Sequence, residues 1–404
     1  MSIIYNILIE FFNNILLPIL SIFSKKIKRF TDFRKNLINE IKNEIDERKK
    51  YIWVHAASLG EYEMAIPLIK EIKRSFNEDL ILTFFSESGF KIEKRIKEVA
   101  KTYYLPIDTK KNVKEFISVI NPIFAVFIKS EIWPNYISEL KKKEIKCYLV
   151  NYSFNKITTK LMRGVLNKYE MIYTQDKRTE DKVNQLGIIN VEFAGNLKFN
   201  RAKMQRNEGY ENEKLKNFLD GNRCVVFGST WRNDEEIIIR YINTEKRKKI
   251  KFIIAPHQVS KENIERIKTK LNNKYNLYTD NIYNARYNVL ILNTIGVLKY
   301  IYKFSDISYV GGGFKKRGLH NIIEPCVYGK PIIIGKNYQF FSEARELIEM
   351  KGLFSIKNFY QFKDVLNDLL INDEKRNNIN IINSKFIDNN LVSINKIIKS
   401  IKNE

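Results

Sequence analysis

Short apolar runs alternate with amphipathic helical segments twice along this 404-residue chain, and that alternation constrains the fold more than any other feature. Strands separated by helices cannot pair as hairpins; they must lie parallel, and a parallel sheet has to be covered on both faces. The first series offers strands at 52–55, 80–85, 102–105, 124–128, 146–151, 171–174 and 191–193, with helical patterns such as 62–74, 134–143 and 179–186 between them. The second offers strands at 223–227, 251–255, 289–292, 307–310, 331–334 and 353–356. The expected fold is therefore α/β, with two Rossmann-like doubly wound domains at 30–200 and 223–385. A polar linker with Gly209 and Gly221 is expected at 201–222, and a helix at 386–404. Ligands of such sheets bind at the strand C-terminal ends, so the domains are expected to face a shared cleft.

Residues 1–29 stand apart as an expected membrane-associated helix. Positions 3–23 are mostly apolar, and Lys25, Lys26, Lys28 and Arg29 follow at once. No basic segment precedes the run and no small-residue cleavage site closes it, which argues against a cleaved signal peptide. Asn6, Glu10, Asn13 and Asn14 recur at helical spacing, a polar stripe that favours a helix lying in the interface over one that spans. The net charge of +24 suits an anionic surface or substrate. It does not point to nucleic acid, because no zinc-finger spacing, RNP-like aromatic motif or basic heptad accompanies it. Cys147, Cys224 and Cys326 are far apart in apolar surroundings and read as buried free thiols.

Polar islands fall where strands should end. In the first series, His55-Ala-Ala-Ser58-Leu-Gly60-Glu61 either caps the next helix, Ser58 with Glu61, or presents a carboxylate to the cleft. Glu131, just before a Pro-started helix, is a second carboxylate suited to pair with the first for base work. Lys198 lies at the domain junction, where a cation meets a phosphate or a developing negative charge. In the second series, Ser229 and Thr230 either cap a helix or meet substrate, and His257 follows Pro256 at a strand end. Gly311, Gly312 and Gly313 lead through a basic loop into His320-Asn321-Ile322-Ile323-Glu324. Glycines allow close backbone approach, a helix N-terminus accepts an anion, and a carboxylate can hold vicinal hydroxyls; together they suggest a nucleotide. His55, His257 and His320 are the only histidines, and all lie in these islands. Zincin, P-loop and DxD-type signatures are missing from the sequence.

Taken in order, the islands resemble the Kdo (3-deoxy-D-manno-octulosonic acid) transferases of lipopolysaccharide synthesis. The likeness runs through 55–61, 130–134, 150–153, 195–198, 228–230 with Glu235 and Glu236, 255–257, 293–298, 310–313 and 320–325. Any one is weak; nine in register are specific. The resemblance implies a GT-B fold and an inverting, metal-independent glycosyltransferase without a cofactor. It implies CMP-Kdo as donor, a lipid A precursor (lipid IVA) as acceptor, and a place on the cytoplasmic face of the bacterial inner membrane. It further implies Glu61 as general base, with Glu131 and Lys198 supporting the transition state. Ser58, Gly60, Ser229 and Thr230 would line the acceptor cleft. The nucleotide would lie against Pro256, His257, Ile295, Gly296, Val297, Gly311, Gly312, Gly313, His320, Asn321, Ile322, Ile323 and Glu324.

Four positions depart from the common pattern of that family. Many relatives have Pro-Arg-His where this chain has Pro256-His257-Gln258, Asn293 and Val297 stand where Asp and Glu are frequent, and Gly313 replaces Ser. The rival readings are another GT-B enzyme using a different nucleotide-sugar and a lipid-linked acceptor, or a non-catalytic basic protein of the membrane surface.

Overall fold

In the computed structural model, residues 2–87, 99, 101–247, 249–316 and 318–402 are described. They form two compact units, one of residues Met1–Arg201 with Leu391–Glu404, the other Ala202–Asn390. The boundary falls inside a helix, Leu197–Asn207, and a second helix, Glu213–Leu219, follows within the segment expected to be a linker. The reason lies in three apolar residues of that polar stretch. Leu215, Phe218 and Leu219, spaced for one helical face, are buried against Cys224, Val226 and Ile253 of the second unit. The expected C-terminal helix is likewise divided: Asp373–Asn389 ends in the second unit, and Ile394–Lys402 belongs to the first.

The first unit holds a seven-stranded sheet of β1 (Tyr51–His55), β2 (Asp79–Phe84), β3 (Lys101–Tyr104), β4 (Pro122–Ile128), β5 (Lys146–Tyr152), β6 (Met171–Thr174) and β7 (Val191–Phe193). Its order is β3-β2-β1-β4-β5-β6-β7 and every pairing is parallel. The chain thus winds outward from β1 in one direction and then from β4 in the other. All five residues of β1 are buried, as a strand covered on both faces requires. Trp53 is its anchor, with ring centroids 5.2 Å from Phe116, 5.0 Å from Phe127 and 5.4 Å from Tyr136.

The second unit repeats the plan with β8 (Arg223–Thr230), β9 (Ile250–Pro256), β10 (Tyr275–Leu277), β11 (Val289–Ile291), β12 (Ile307–Val310), β13 (Ile332–Gly335) and β14 (Leu353–Ile356). The order is β10-β11-β9-β8-β12-β13-β14, again all parallel. Strand β10 has no counterpart among the strands expected from the sequence. It is three residues long, lies at a sheet edge and has Asn276 at its centre, so it carries too little apolar pattern to be seen. The three cysteines are buried and free.

The N-terminal segment is helical from Ser2 to Phe23, with a π-helical turn at Phe12–Leu16 and a second helical stretch at Leu17–Phe23. It is long and apolar enough to cross a membrane. Part of its polar stripe faces the first unit. The Tyr5 hydroxyl donates to Asp108 Oδ2 at 2.7 Å, and Asn135 Nδ2 donates to Asn6 Oδ1 at 2.8 Å. Leu17 is buried near the other end. Ile3, Ile4, Ile7, Ile22 and Phe23 are left 64–81% exposed.

Asp108 also accepts the backbone N–H of Asn135 (3.1 Å) and Tyr136 (3.0 Å) at the start of the helix Pro134–Lys142. Burial raises its carboxyl to about 6, against the lowering effect of these three donors. A group raised on folding favours the protonated folded form, so its contribution is full below about pH 4 and is lost as pH climbs through 6. The unfolding free energy of the wild type, read from denaturant midpoints, should therefore fall across that window by up to about 3 kcal/mol. Asp108→Asn should lack that slope, and a wild-type profile as flat as the variant's would refute the assignment.

Candidate active site

The loops after β1 and β4 open side by side, because these strands are neighbours at the point where the winding reverses. After His55 the chain passes through Ser58, in extended conformation, into the helix Leu59–Ser75. The N–H of Ser58 donates to Glu61 Oε2 at 3.2 Å, the capping-box bond. The capping bond therefore falls on the side chain expected to act as base. Burial raises the Glu61 carboxyl above its ordinary range, and the Glu131 charge raises it further. Lys129 and the N–H groups of Ala57 and Ser58 act the other way. Gly60, one residue before it, has nothing within 4 Å of where a side chain would begin.

Glu131 reaches this place through a tight turn. Lys129 adopts a left-handed φ of 70°, rare for a residue with a side chain, and its N–H donates to the carbonyl of Val150 at 2.7 Å. Glu131 Oε2 accepts from Trp133 Nε1 at 3.0 Å and lies 3.5 Å from His55 Nε2. His55 is wholly buried, and its Nδ1 is 2.9 Å from the Thr83 hydroxyl, which itself accepts from Trp53 Nε1 at 2.9 Å. Thr83 and His55 thus link Trp53 to the side of Glu131 in one buried chain.

Lys198 follows the edge strand β7, four strands from β1 and thus roughly 19 Å across the sheet. Two ties fasten its helical turn to the helix of Glu61. Asn151, buried and left-handed at φ 66°, accepts from the Leu197 N–H at 2.9 Å and donates to Met64 Sδ at 3.0 Å. Arg201 donates to Glu63 Oε2 at 2.8 and 3.0 Å. The Lys198 side chain itself is exposed. The structure thus brings Ser58, Gly60, Glu61 and Glu131 together, and it fixes the backbone that carries Lys198.

In the second unit, a 330 Å³ cavity opens at the C-terminal ends of β8, β9 and β11. That volume is at the small end of the ligand-pocket range. Ser229, Pro256, His257, Ile295, Gly296 and Glu324 line it, as does Lys299, which the sequence did not single out. Ile295 is 83% exposed at its rim. Glu324 accepts from Asn321 Nδ2 at 3.2 Å; burial raises its carboxyl, with Asn321 and Lys299 opposing.

Several expected contacts require correction. A Cβ on Gly311 would lie 2.3 Å from the Ser229 carbonyl oxygen, and one on Gly313 would lie 2.6 Å from the Gly335 nitrogen. These glycines let strand ends approach each other. Moreover, the Gly311 N–H donates to the Gly228 carbonyl at 2.9 Å and the Gly312 N–H to Asp234 Oδ2 at 3.0 Å, so neither amide is offered to a phosphate. Thr230 is buried and donates to Glu235 Oε1 at 3.0 Å, away from any acceptor. Ile322 and Ile323 are buried, leaving only their backbone for a ligand. Val297 packs on the core beside Leu298.

Residues missed from the sequence hold the site in place. Asp234 accepts from the Trp231 N–H (2.9 Å), the Gly312 N–H and the Tyr309 hydroxyl (2.6 Å), tying the first helix of the unit to the glycine loop. Its place three residues after the tryptophan Trp231 carries no standard capping signature in the sequence. Thr83 left no trace either, and Asn151 was marked only as part of the matching segment 150–153.

Comparison with known proteins bears on both halves. The sequence profile of the family described as 3-deoxy-D-manno-octulosonic-acid transferase (kdotransferase) matches residues 28–201. A bifunctional glycosyltransferase/methyltransferase of Fusobacterium nucleatum is 29% identical over 395 residues, 93% of this chain. The chain spans 60% of the length of that relative. A 3-deoxy-D-manno-octulosonic acid transferase of Rickettsia felis is 30% identical over 332 residues, 77% of this chain and 69% of that one. Among solved structures, the UDP-GlcNAc 2-epimerase of Neisseria meningitidis superimposes with a TM-score of 0.63 over 88% of this chain and all of its own, at 12% identity. That likeness shows the fold alone, two parallel-sheet units of the GT-B kind. Since the Rickettsia relative matches through both units and the family profile covers the carboxylate-bearing one, the chain belongs to the Kdo transferase family.

Proposed function

We propose that the protein transfers Kdo from CMP-Kdo to a lipid A precursor, lipid IVA, by an inverting, metal-independent displacement at the cytoplasmic face of the inner membrane. The observation that carries this reading is the half-buried Glu61, raised by desolvation and by Glu131 and held by a backbone N–H through one oxygen. A sugar hydroxyl is a poor nucleophile at neutral pH and needs such a base. In the displacement, the acceptor oxygen bonds to the anomeric carbon, its proton passes to Glu61, and CMP leaves with the electrons of the broken bond. Glu131 stays charged beside it, and Lys198 meets developing negative charge.

On the donor side, Glu324 lies in a cavity wall where a carboxylate can hold ribose hydroxyls, and Ile295 offers an apolar rim to the base. The N-terminal helix is held to the first unit by Tyr5 and Asn6 near one end and buries Leu17 near the other. A helix fastened along its side supports an interfacial seat with the apolar face in lipid. Its basic successor, Lys25–Asp32, fits anionic headgroups.

The test is transfer from freshly generated CMP-Kdo to tetraacylated lipid A precursor in EDTA, read by product mass. A product heavier by one or more Kdo residues is the expected result. Folded protein that gives none, but that turns over a UDP-sugar, would move the other GT-B reading ahead.

A further inference from the structure

Three rings meet beside the cavity of the second unit. Trp231 and His320 lie nearly coplanar, 11° apart, and are joined edge to edge by a hydrogen bond from Trp231 Nε1 to His320 Nε2 at 2.8 Å. His257, a cavity wall residue, stacks on both, with centroids 4.5 Å from Trp231 and 4.3 Å from His320. The Lys315 ammonium sits 3.3 Å from the centre of the Trp231 ring.

The bond has a definite consequence. An indole nitrogen can only donate, so His320 Nε2 must be the unprotonated nitrogen and the ring proton must be on Nδ1. No described protein group accepts from Nδ1, and Nδ1 is not among the polar atoms sealed from solvent without a partner. Its neighbour Cδ2 faces Gly312, where a Cβ would come within 3.0 Å. The ring is thus gripped on its Nε2–Cδ2 edge and open at Nδ1.

We infer that Trp231 is a positioning residue that holds His320 as the Nδ1–H tautomer, so that this N–H donates to an anionic oxygen of the nucleotide donor, with Lys315 supplying the charge. The inference rests on the donor reading above and adds a residue and a protonation state to it. Burial, together with the charges of His257 and Lys315, lowers His320 to about 4, in keeping with a neutral ring at working pH. Among groups facing the ring, His257 and Lys315 are thus both unfavourable to a second proton, while the Trp231 bond requires a bare Nε2. A neutral donor held in this way keeps its geometry whether or not ligand is present.

With only three histidines in the chain, the ring nitrogens of the full-length protein labelled with ¹⁵N-histidine can be assigned by His→Asn variants. The expected spectrum gives His320 a single neutral tautomer with the proton on Nδ1. Trp231→Phe keeps the stacked ring but removes the donor. It should turn His320 into a tautomer mixture and weaken CMP binding by about two- to fivefold, the share of the competent tautomer lost. Cytidine, which lacks the phosphate, should bind both proteins alike if the phosphate is the partner. A loss of that size seen with the intact sugar-nucleotide and not with CMP would place the contact on the sugar carboxylate. His320→Asn, whose amide N–H can stand where Nδ1–H does, should retain most of the affinity, and His320→Gln should not.

A mixed or Nε2–H tautomer in the wild type would overturn the inference and leave the donor reading standing. Equal weakening for cytidine and CMP would also overturn it, since the effect would then be structural. Wild type that shows the expected tautomer but binds neither CMP nor the intact sugar-nucleotide would overturn the donor reading, and the ligand assigned to Nδ1–H with it.

Discussion

Glu61→Gln should lower turnover by about 10² to 10⁴, the usual contribution of a general base, while leaving thermal stability close to that of the wild type. The separation is possible because the capping bond at this position needs only an oxygen acceptor for the Ser58 N–H, and glutamine supplies one. What glutamine cannot do is take a proton. Loss of activity with the melting temperature kept would therefore isolate base chemistry from folding. The pH profile adds a sign. A raised Glu61 must lose its proton before it works, so the acid limb of the rate should lie above the ordinary glutamate range. Glu131→Gln removes a charge that raises Glu61, so the limb should move to lower pH even as the maximal rate falls. Near-wild-type turnover in Glu61→Gln, or a limb that stays put in Glu131→Gln, would sink the assignment.

Asp234→Ala should cost about 2–6 kcal/mol, a large share of the stability of an ordinary domain. The carboxylate satisfies the N–H of Trp231, the N–H of Gly312 and the hydroxyl of Tyr309, all at 2.6–3.0 Å, and the last two bonds are buried. Alanine leaves those two buried donors unpaired, each worth about 1–3 kcal/mol, while the half-buried Trp231 N–H can turn to water. Low soluble yield and a strongly reduced denaturant midpoint are expected. Asp234→Asn, which keeps one acceptor oxygen, should fall between the two. A loss under about 1 kcal/mol would mean that water replaces the carboxylate and that the glycine loop does not depend on it.

Both sheets were legible because strands covered on two faces are apolar through their middle, as Ile52–Val54 of β1 and Phe252–Ala255 of β9 are. Strand β10 was hidden because an edge strand of three residues needs no such run. The carboxylates Glu61 and Glu131 were legible as residues at strand ends, a position that topology alone makes chemical. Their supports were not. Thr83 serves Glu131 only through His55, and Asn151 serves Lys198 only through the backbone of Leu197. Neither relation leaves a spacing in the chain, because each joins strands far apart in sequence. The glycines illustrate the opposite error: their pattern was visible, but its cause at Gly311 is the carbonyl of Ser229, a contact that only the fold reveals.

The seam between the N-terminal helices and the rest of the first unit leads directly to Glu131, beside Glu61. Phe30 packs on Phe85 (centroids 5.3 Å), Arg34 lies 3.8 Å above Phe30 and donates to the carbonyl of Phe85, Phe85 meets Trp133 (4.8 Å), and Trp133 holds Glu131. From Phe30 to Glu131 each step is a ring contact or a hydrogen bond. Any surface that takes up the exposed isoleucines therefore sees Glu131 at one fixed height, as a stylus is set above a record. Substrates would then be sorted by how far their hydroxyl stands from that surface, a selection by altitude that requires no recognition of the sugar at all.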